Sequence, residues 1–361
     1  MRRKSLRLYV MLPAAGSRLG DVGNREMEHK MTFSSRSFNH VVYDRGRNSV
    51  IKTSRNADKL INEIVWYRAL PESLQEYLPK LIRYSTEREN PFLEYQYCPY
   101  EPLSKQFLDG CHSCERWLSI TNTLLDVLHR FKRYTKPFPE ALRQKYLYHM
   151  VVEKTRLRLG QLRELALFHP LFVHRFEVNG IVCGPLDRYI KLLSPIFHRL
   201  FGREPPVFSI IHGDFCFSNI LFDPVENRLK LIDPRGEFGS ASLYGDIRYD
   251  LAKLRHSVNG LYDFIVADRF TLKSEHAVFN YHVDSRQGLV SSGFDEQLCD
   301  RGCDLMEIAF LEAVLFLSMV PLHGERTDRQ LIMLCHGAHQ FEEILHTLEN
   351  RQTLSTGRGY D

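Results

Sequence analysis

Ile211-His212-Gly213-Asp214-Phe215-Cys216-Phe217-Ser218-Asn219-Ile220-Leu221, followed by Leu229-Lys230-Leu231-Ile232-Asp233, is the stretch on which the fold turns. An apolar run delivers His-Gly-Asp into a turn, and Asn219 follows five residues after Asp214. A second apolar run, a polar turn at Asp223 to Asn227 and a third run then close on Asp233. Short apolar runs bounded by turn residues read as strands, so Asn219 and Asp233 lie on adjacent β-elements that a hairpin brings together. Transfer of a phosphoryl group needs these parts. A carboxylate must orient the attacking hydroxyl and accept its proton, and an amide and a carboxylate oxygen must hold Mg²⁺ against a triphosphate.

The pattern H-G-D-x4-N-I-L with a later strand ending in I-D resembles the Brenner-type motif of aminoglycoside phosphotransferases, choline kinases and related protein-kinase-like enzymes. Gly245 to Leu254, GDIRYDLAKL, looks like that family's continuation, with an Asp just before Leu-Ala. The resemblance implies Asp214 as catalytic base, Asn219 and Asp233 as Mg²⁺ ligands, His212 as support for the loop, and Asp250 as its anchor from behind. It implies ATP or GTP as the phosphoryl donor.

A fold of this kind also needs a strand lysine for the phosphates and a glutamate on the next helix to pair with it. Lys52 lies in the strand-like SVIKTS and Glu63 in the helical KLINEIVWYRAL, whose apolar residues recur at helical spacing and which Pro71 ends. FLEYQYCPYEPL resembles the hinge beside the nucleotide base, which implies contacts from Gln96, Tyr97 and Cys98. The hairpin Phe33 to Asn39 stands where protein kinases carry a glycine-rich loop, yet it has no glycine. Ser35, with Arg36 beside it, is the expected phosphate contact there.

These features divide the chain into an extension over 1–30, a small β-rich lobe over 31–98, a larger α-helical lobe over 99–350 and a tail over 351–361. The fold class expected is α+β, a two-lobed protein-kinase-like fold. Helices are predicted from about Pro139 to Glu164, from Leu186 to Leu200, and from the Asp233 region to about Glu349.

A net charge of +4, with no basic block beyond Arg2-Arg3-Lys4, gives no argument for a nucleic-acid partner. The eight cysteines read as reduced thiols; Cys111-Cys114 with Cys299-Cys303 is the alternative zinc set. No apolar run reaches the roughly 18–20 residues of a membrane span. The nearest, Ile308 to Val320, contains Glu312 and is read as a buried helix. The start imitates a secretory signal, but Pro13 cuts its apolar run, so a cytoplasmic, nucleotide-supplied enzyme is expected. The oligomeric state is open.

The partner expected is a small-molecule hydroxyl acceptor. Arg235, Arg248, Lys253 and Arg255 make the surroundings of Asp233 mixed to basic, which favours a neutral or anionic acceptor over a polycationic aminoglycoside. Arg235 and Arg248 are the substrate candidates; internal pairing with Glu237, Asp246 and Asp250 is their alternative. Leu12 to Gly20 resembles the first glycine loop of sugar nucleotidyltransferases. Phe316 to Leu331 looks like kinase-like proteins of capsule or lipopolysaccharide biosynthesis, which implies a sugar acceptor from a surface-polysaccharide pathway. The rival readings are a catalytically silent kinase-fold binding or scaffold protein, an antibiotic kinase, and a protein Ser/Thr kinase, which would carry an A-P-E segment not found here.

Overall fold

The computed structural model describes residues 30–33, 39–202, 206–239, 243–285 and 288–356. The expectations for Leu12 to Gly20, Ser35 and Arg36 fall outside those residues. In the first lobe, β1 (Lys30–Phe33), β2 (Asn39–Asp44), β3 (Ser49–Ser54), β4 (Leu81–Ser85) and β5 (Phe92–Gln96) form one antiparallel sheet in the order β1-β2-β3-β5-β4. The β2–β3 turn closes at Asp44 opposite Ser49, with Asn48 in the left-handed region that asparagine tolerates. Helix α1 (Ala57–Ala69) lies between β3 and β4. The Asn56 side chain caps it by accepting from the Lys59 N–H, and Leu70 is extended ahead of Pro71, as the residue before a proline must be. Its buried face carries Leu60, Ile64, Trp66 and Tyr67, and Glu63 among them.

The second lobe starts with β6 (Glu101–Pro102), α2 (Leu103–Leu108) and α3 (Cys114–Lys132). A bent helical pair follows, α4 (Glu140–Tyr148) and α5 (Lys154–Arg163), joined by a π-helical turn at His149–Glu153 where the sequence predicts one unbroken helix. Then come α6 (His169–Val173), β7 (Phe176–Val178), β8 (Ile181–Cys183) and α7 (Leu186–Phe201). The decisive stretch is β9 (Phe208–Ile210), a loop, β10 (Ile220–Asp223) and β11 (Arg228–Leu231). After it, β12 (Tyr244–Asp246) pairs with β9 and feeds α8 (Ile247–Val258). The rest is α9 (Tyr262–Val266), β13 (Phe270–Glu275), β14 (Val278–Val283), α10 (Gly288–Asp300), α11 (Leu305–Met319) and α12 (Thr327–Thr356).

The expectation of continuous helix after Asp233 is corrected at two places, the short strand Tyr244–Asp246 and a hairpin further on. Phe270–Glu275 and Val278–Val283 form an antiparallel hairpin, and β14 also pairs in parallel with β7, giving a four-stranded sheet β13-β14-β7-β8. The alternation of Phe270, Leu272 and Ser274 with polar neighbours is the strand signal there. Leu305–His323 is long and apolar enough to cross a membrane, yet it is mostly buried, packed against α8, α12 and α5. Glu312, within it, is buried and bonded to Gln340 at 2.9 Å and to Arg255, so the charge has partners.

Three imidazoles of the second lobe and its loop are withdrawn from water, His212 and His256 fully and His336 in part. Burial lowers His212 to about 4 and His336 to about 3, and drives His256 well below the ordinary 6.5. His256 lies between the rings of Tyr262 and Phe316, each 4.3 Å away, and neither ring nitrogen has a hydrogen-bond partner among the described residues. The folded chain therefore refuses protons that the unfolded chain accepts once the pH falls below 6.5. Stability should fall as the pH drops, by ~1.4 kcal/mol per histidine per pH unit below about 6.5. Thermal denaturation at about pH 7.5 and about pH 5.5 reads this, and His256→Phe should shrink the loss; an undiminished loss in that variant would exclude His256 as a source.

Candidate active site

The loop between β9 and β10 is held by its own backbone. Asp250, completely buried on α8, accepts the His212 N–H at 2.6 Å and the Gly213 N–H at 2.8 Å, one on each carboxylate oxygen. Burial pushes the Asp250 carboxyl up to about 7, while those two donors pull the other way. Gly213 takes φ +78°, and a Cβ there would lie 2.7 Å from Arg235 Cβ, so this position admits only glycine. The His212 ring donates from Nε2 to the Ile232 carbonyl at 3.1 Å, and with its affinity for protons lowered it stays neutral and structural.

Asp214 then projects from the turn with its side chain 22% exposed, the only acid of the loop open to the cleft. Asn219 Nδ2 donates to the Asp214 carbonyl at 2.9 Å, and the Ile232 N–H donates to the Asn219 carbonyl at 3.0 Å. That first bond fixes which way round the amide sits and leaves Oδ1 as its acceptor atom. Asp233, next to Ile232, has φ +56° and a side chain 40% exposed.

Lys52 crosses from the first lobe to meet this unit. Its ammonium lies 2.6 Å from Glu63 Oε2 and 2.5 Å from Asp233 Oδ1. Burial alone would lower the lysine's proton affinity, but Glu63 and Asp233 outweigh it and hold Lys52 above the ordinary lysine value. Burial pushes Glu63 up to about 7 against the pull of the same ammonium. Helix α1 adds two further ties: Trp66 Nε1 donates to the Ile211 carbonyl at 2.7 Å and the Tyr67 hydroxyl to the Leu231 carbonyl at 3.3 Å. Gly236 comes so close that a Cβ would stand 2.1 Å from the Asn62 carbonyl oxygen.

Among the described residues no group of three or more His, Cys, Asp or Glu side chains is placed to hold a metal ion. A divalent cation here would have one carboxylate and one amide oxygen, Asp233 and Asn219. That small, hard-oxygen donor set fits Mg²⁺, which completes its shell with phosphate oxygens and water.

Lys253, one turn after Asp250 on the same face of α8, places its ammonium 2.9 Å from Asp214 Oδ1. Sequence reasoning had Lys253 only as part of a basic neighbourhood; the three-residue spacing from Asp250 is the signal that puts it on the loop's side. Arg235 donates from Nε to the Gly213 carbonyl at 3.1 Å and lies over the Tyr249 ring, so it braces the loop. Arg248 is not brought to the site. It pairs with Asp246 at 2.6 Å and Glu307 at 2.8 Å and stacks on Phe201, because Asp246 caps α8 two residues before it. The hinge expectation is also narrowed: the Gln96 N–H is used by the Lys80 carbonyl and the Tyr97 N–H by the Asn48 carbonyl. Cys98 is the one of the three whose N–H has no partner among the described residues.

Solved structures resemble this arrangement over most of the chain. A Ralstonia eutropha JMP134 protein assigned to the aminoglycoside phosphotransferases is 13% identical, over 87% of this chain and 92% of that one, with a TM-score of 0.51. A thermostable mutant of aminoglycoside phosphotransferase APH(4)-Ia in its apo form is 12% identical, over 92% and 95%, with a TM-score of 0.51. No protein-family model and no curated protein matches the sequence. The chain thus has the two-lobed, kinase-like α+β fold of those structures.

The Asp250 anchor can be tested without any substrate. Asp250→Asn turns one oxygen facing an amide N–H into a second donor, and should cost about 1–3 kcal/mol in urea or guanidinium unfolding. An unchanged midpoint would mean that the loop is held by something else.

Proposed function

We propose that this chain is a small-molecule kinase, moving the γ-phosphoryl group of ATP or GTP onto a hydroxyl of a small acceptor. What supports the reading is the convergence of Asp214, Asn219, Asp233 and Lys52 in one hydrogen-bonded unit between two lobes. The solved structures of the same fold are named for phosphoryl transfer to aminoglycosides.

In this mechanism the acceptor hydroxyl donates a hydrogen bond to the Asp214 carboxylate. Its oxygen attacks the γ-phosphorus in line with the leaving oxygen, and as the new P–O bond forms the proton passes to Asp214. The bond to the bridging oxygen breaks and the nucleoside diphosphate leaves. Lys253 fixes the Asp214 rotamer and offsets its charge. Lys52 binds the α- and β-phosphate oxygens from the position where Glu63 steadies it, and Cys98 offers its N–H to the base. Asn219 and Asp233 would hold Mg²⁺, which would supply neutralisation of the triphosphate charge. A chain needing this nucleotide belongs in the cytoplasm.

The acceptor we place among sugars and their derivatives. A polycationic aminoglycoside would meet Lys253 and Arg235 on its way to Asp214, whereas a neutral or anionic sugar would not be repelled. The resemblance of Phe316 to Leu331 to surface-polysaccharide proteins leans the same way.

Purified protein with Mg²⁺ and ATP or GTP, assayed for phosphorylated product against sugars, sugar phosphates, amino alcohols and aminoglycosides, should turn over at least one acceptor. Asp214→Asn should lower kcat by ~10²–10⁴ while nucleotide affinity, read by calorimetry, stays near the wild-type value. Wild-type turnover by that variant would remove Asp214 as the base.

A further inference from the structure

Helix α8 serves two places. Asp250 and Lys253 reach the Asp214 loop from it, while Arg255 and Asn259, at its C-terminal end, line a separate cavity. That cavity, of about 470 Å³, lies among α8, α10, α11 and α12. Its size falls in the range of about 300–1,000 Å³ usual for small-molecule sites. It is distinct from the cleft at Asp214. Leu305, Met306 and Ala309, at the start of α11, line it, whereas Met319, the last residue of that helix, meets Lys253. The 15 residues of α11 put roughly 20 Å between those ends.

The wall of the cavity holds buried polar atoms that no described residue satisfies. Asn259 Oδ1, Gln340 Oε1, His339 Nδ1 and His336 Nε2 are shut off from solvent and lack a hydrogen-bond partner. Three of them are fixed as acceptors by the other end of the same side chain. Asn259 Nδ2 donates to the Ser291 carbonyl at 3.4 Å, and a carbonyl only accepts, so the oxygen is the atom left over. Gln340 Nε2 donates to the Glu312 carboxylate at 2.9 Å, which leaves Oε1. His339 Nε2 lies 3.3 Å from Glu343 Oε1, so the neutral ring keeps its proton there and presents a bare Nδ1. His336 meets the Tyr281 hydroxyl from Nδ1 at 2.9 Å, a bond open to either tautomer. Buried acceptors without a donor are rare because they forfeit their hydration for nothing.

Charge in the same wall favours a cation. Asp295 accepts from Arg255 Nε and Nη2, each at 2.8 Å, and Glu312 accepts from Nη1, so one guanidinium answers two carboxylates. Glu343 adds a third acid, against Arg351 as the other cation of the lining. Met306, Ala309 and Ile344 supply carbon surface beside these groups.

We propose that this cavity binds a small organic ammonium, an amine whose N–H groups donate to the acceptors of Asn259, Gln340 and His339 while its carbon chain rests on Ala309 and Ile344. The site does not depend on the kinase reading, and it lies away from the acceptor hydroxyl that Asp214 would meet.

The test uses the full chain without nucleotide, at constant ionic strength and about pH 8, where free imidazoles are neutral. Ethanolamine, spermidine, tetramethylammonium and glycerol are titrated separately by calorimetry and thermal shift. Ethanolamine or spermidine should bind saturably and raise the melting temperature. Tetramethylammonium, a cation without N–H donors, and glycerol, a donor without charge, should do neither. Ala309→Leu fills the cavity and removes no polar group, and it should abolish the binding. His339→Phe should weaken it about tenfold or more; if that variant does not fold, Asn259→Leu takes its place with the same expectation. No saturable amine binding by the wild type would leave water as the occupant and overturn the site. Equal binding in Ala309→Leu would put the amine elsewhere on the chain and overturn it too. Tetramethylammonium or glycerol binding as tightly as the amines would overturn the ligand class.

Discussion

A buried ammonium shared by carboxylates from both lobes is the constraint to which the rest of the molecule answers. Lys52 is 2% exposed, and a lone charge in that position would cost several kcal/mol of lost hydration. Glu63 from α1 and Asp233 from the second lobe offset it together. Each partner dictates a piece of architecture. β3 must turn Lys52 inward, α1 must pack with Glu63 on its buried face, and the strand pair β10–β11 must end where Asp233 reaches the same point. Removing either acid would leave charge stranded in the cleft, so the pair contributes specificity of arrangement more than net stability.

The loop that bears Asp214 is organised on the same principle, with polar groups satisfied before any ligand arrives. Its first two amides are bonded to Asp250, its imidazole to Ile232, and Asn219 ties the turn to the strand beyond. The Trp66 indole closes the Ile211 carbonyl from the other lobe. The result is a rigid platform that presents Asp214, the one acid of the loop. Rigidity of this kind is what lets a carboxylate hold an attacking hydroxyl in a productive position.

Much of this was legible in the sequence because the functional groups are close along the chain or sit on strongly periodic elements. The stretch from Ile211 to Asp233 is one strand–turn–hairpin unit, and Lys52 and Glu63 fall on a strand and a helix with clear start and stop residues. What was hidden depended on contacts between distant segments. The strand β14 pairs in parallel with β7, about a hundred positions earlier, and no local pattern announces that partner. The role of the Gln96 and Tyr97 amides was unreadable because it is set by the Lys80 and Asn48 carbonyls. Arg248 looked like a substrate contact by its nearness to Asp233, until the helix cap at Asp246 drew it the other way.

The π-helical turn at His149–Glu153 shows why an irregular helix is harder to read than a missing one. A continuous helix from Pro139 to Glu164 has the right composition, and the π-turn leaves composition untouched while changing which side chains α5 turns toward α11. On the first-lobe side of Asp214 one ammonium, Lys52, is shared by two carboxylates, so an anion entering there would have to compete for it or bring its own counterions. On the far side Lys253 is paired with Asp214, and Arg235 is bonded to the Gly213 carbonyl. The cations nearest Asp214 are thus committed to holding the loop and its carboxylate, as the lysine of the first lobe is committed to Glu63 and Asp233.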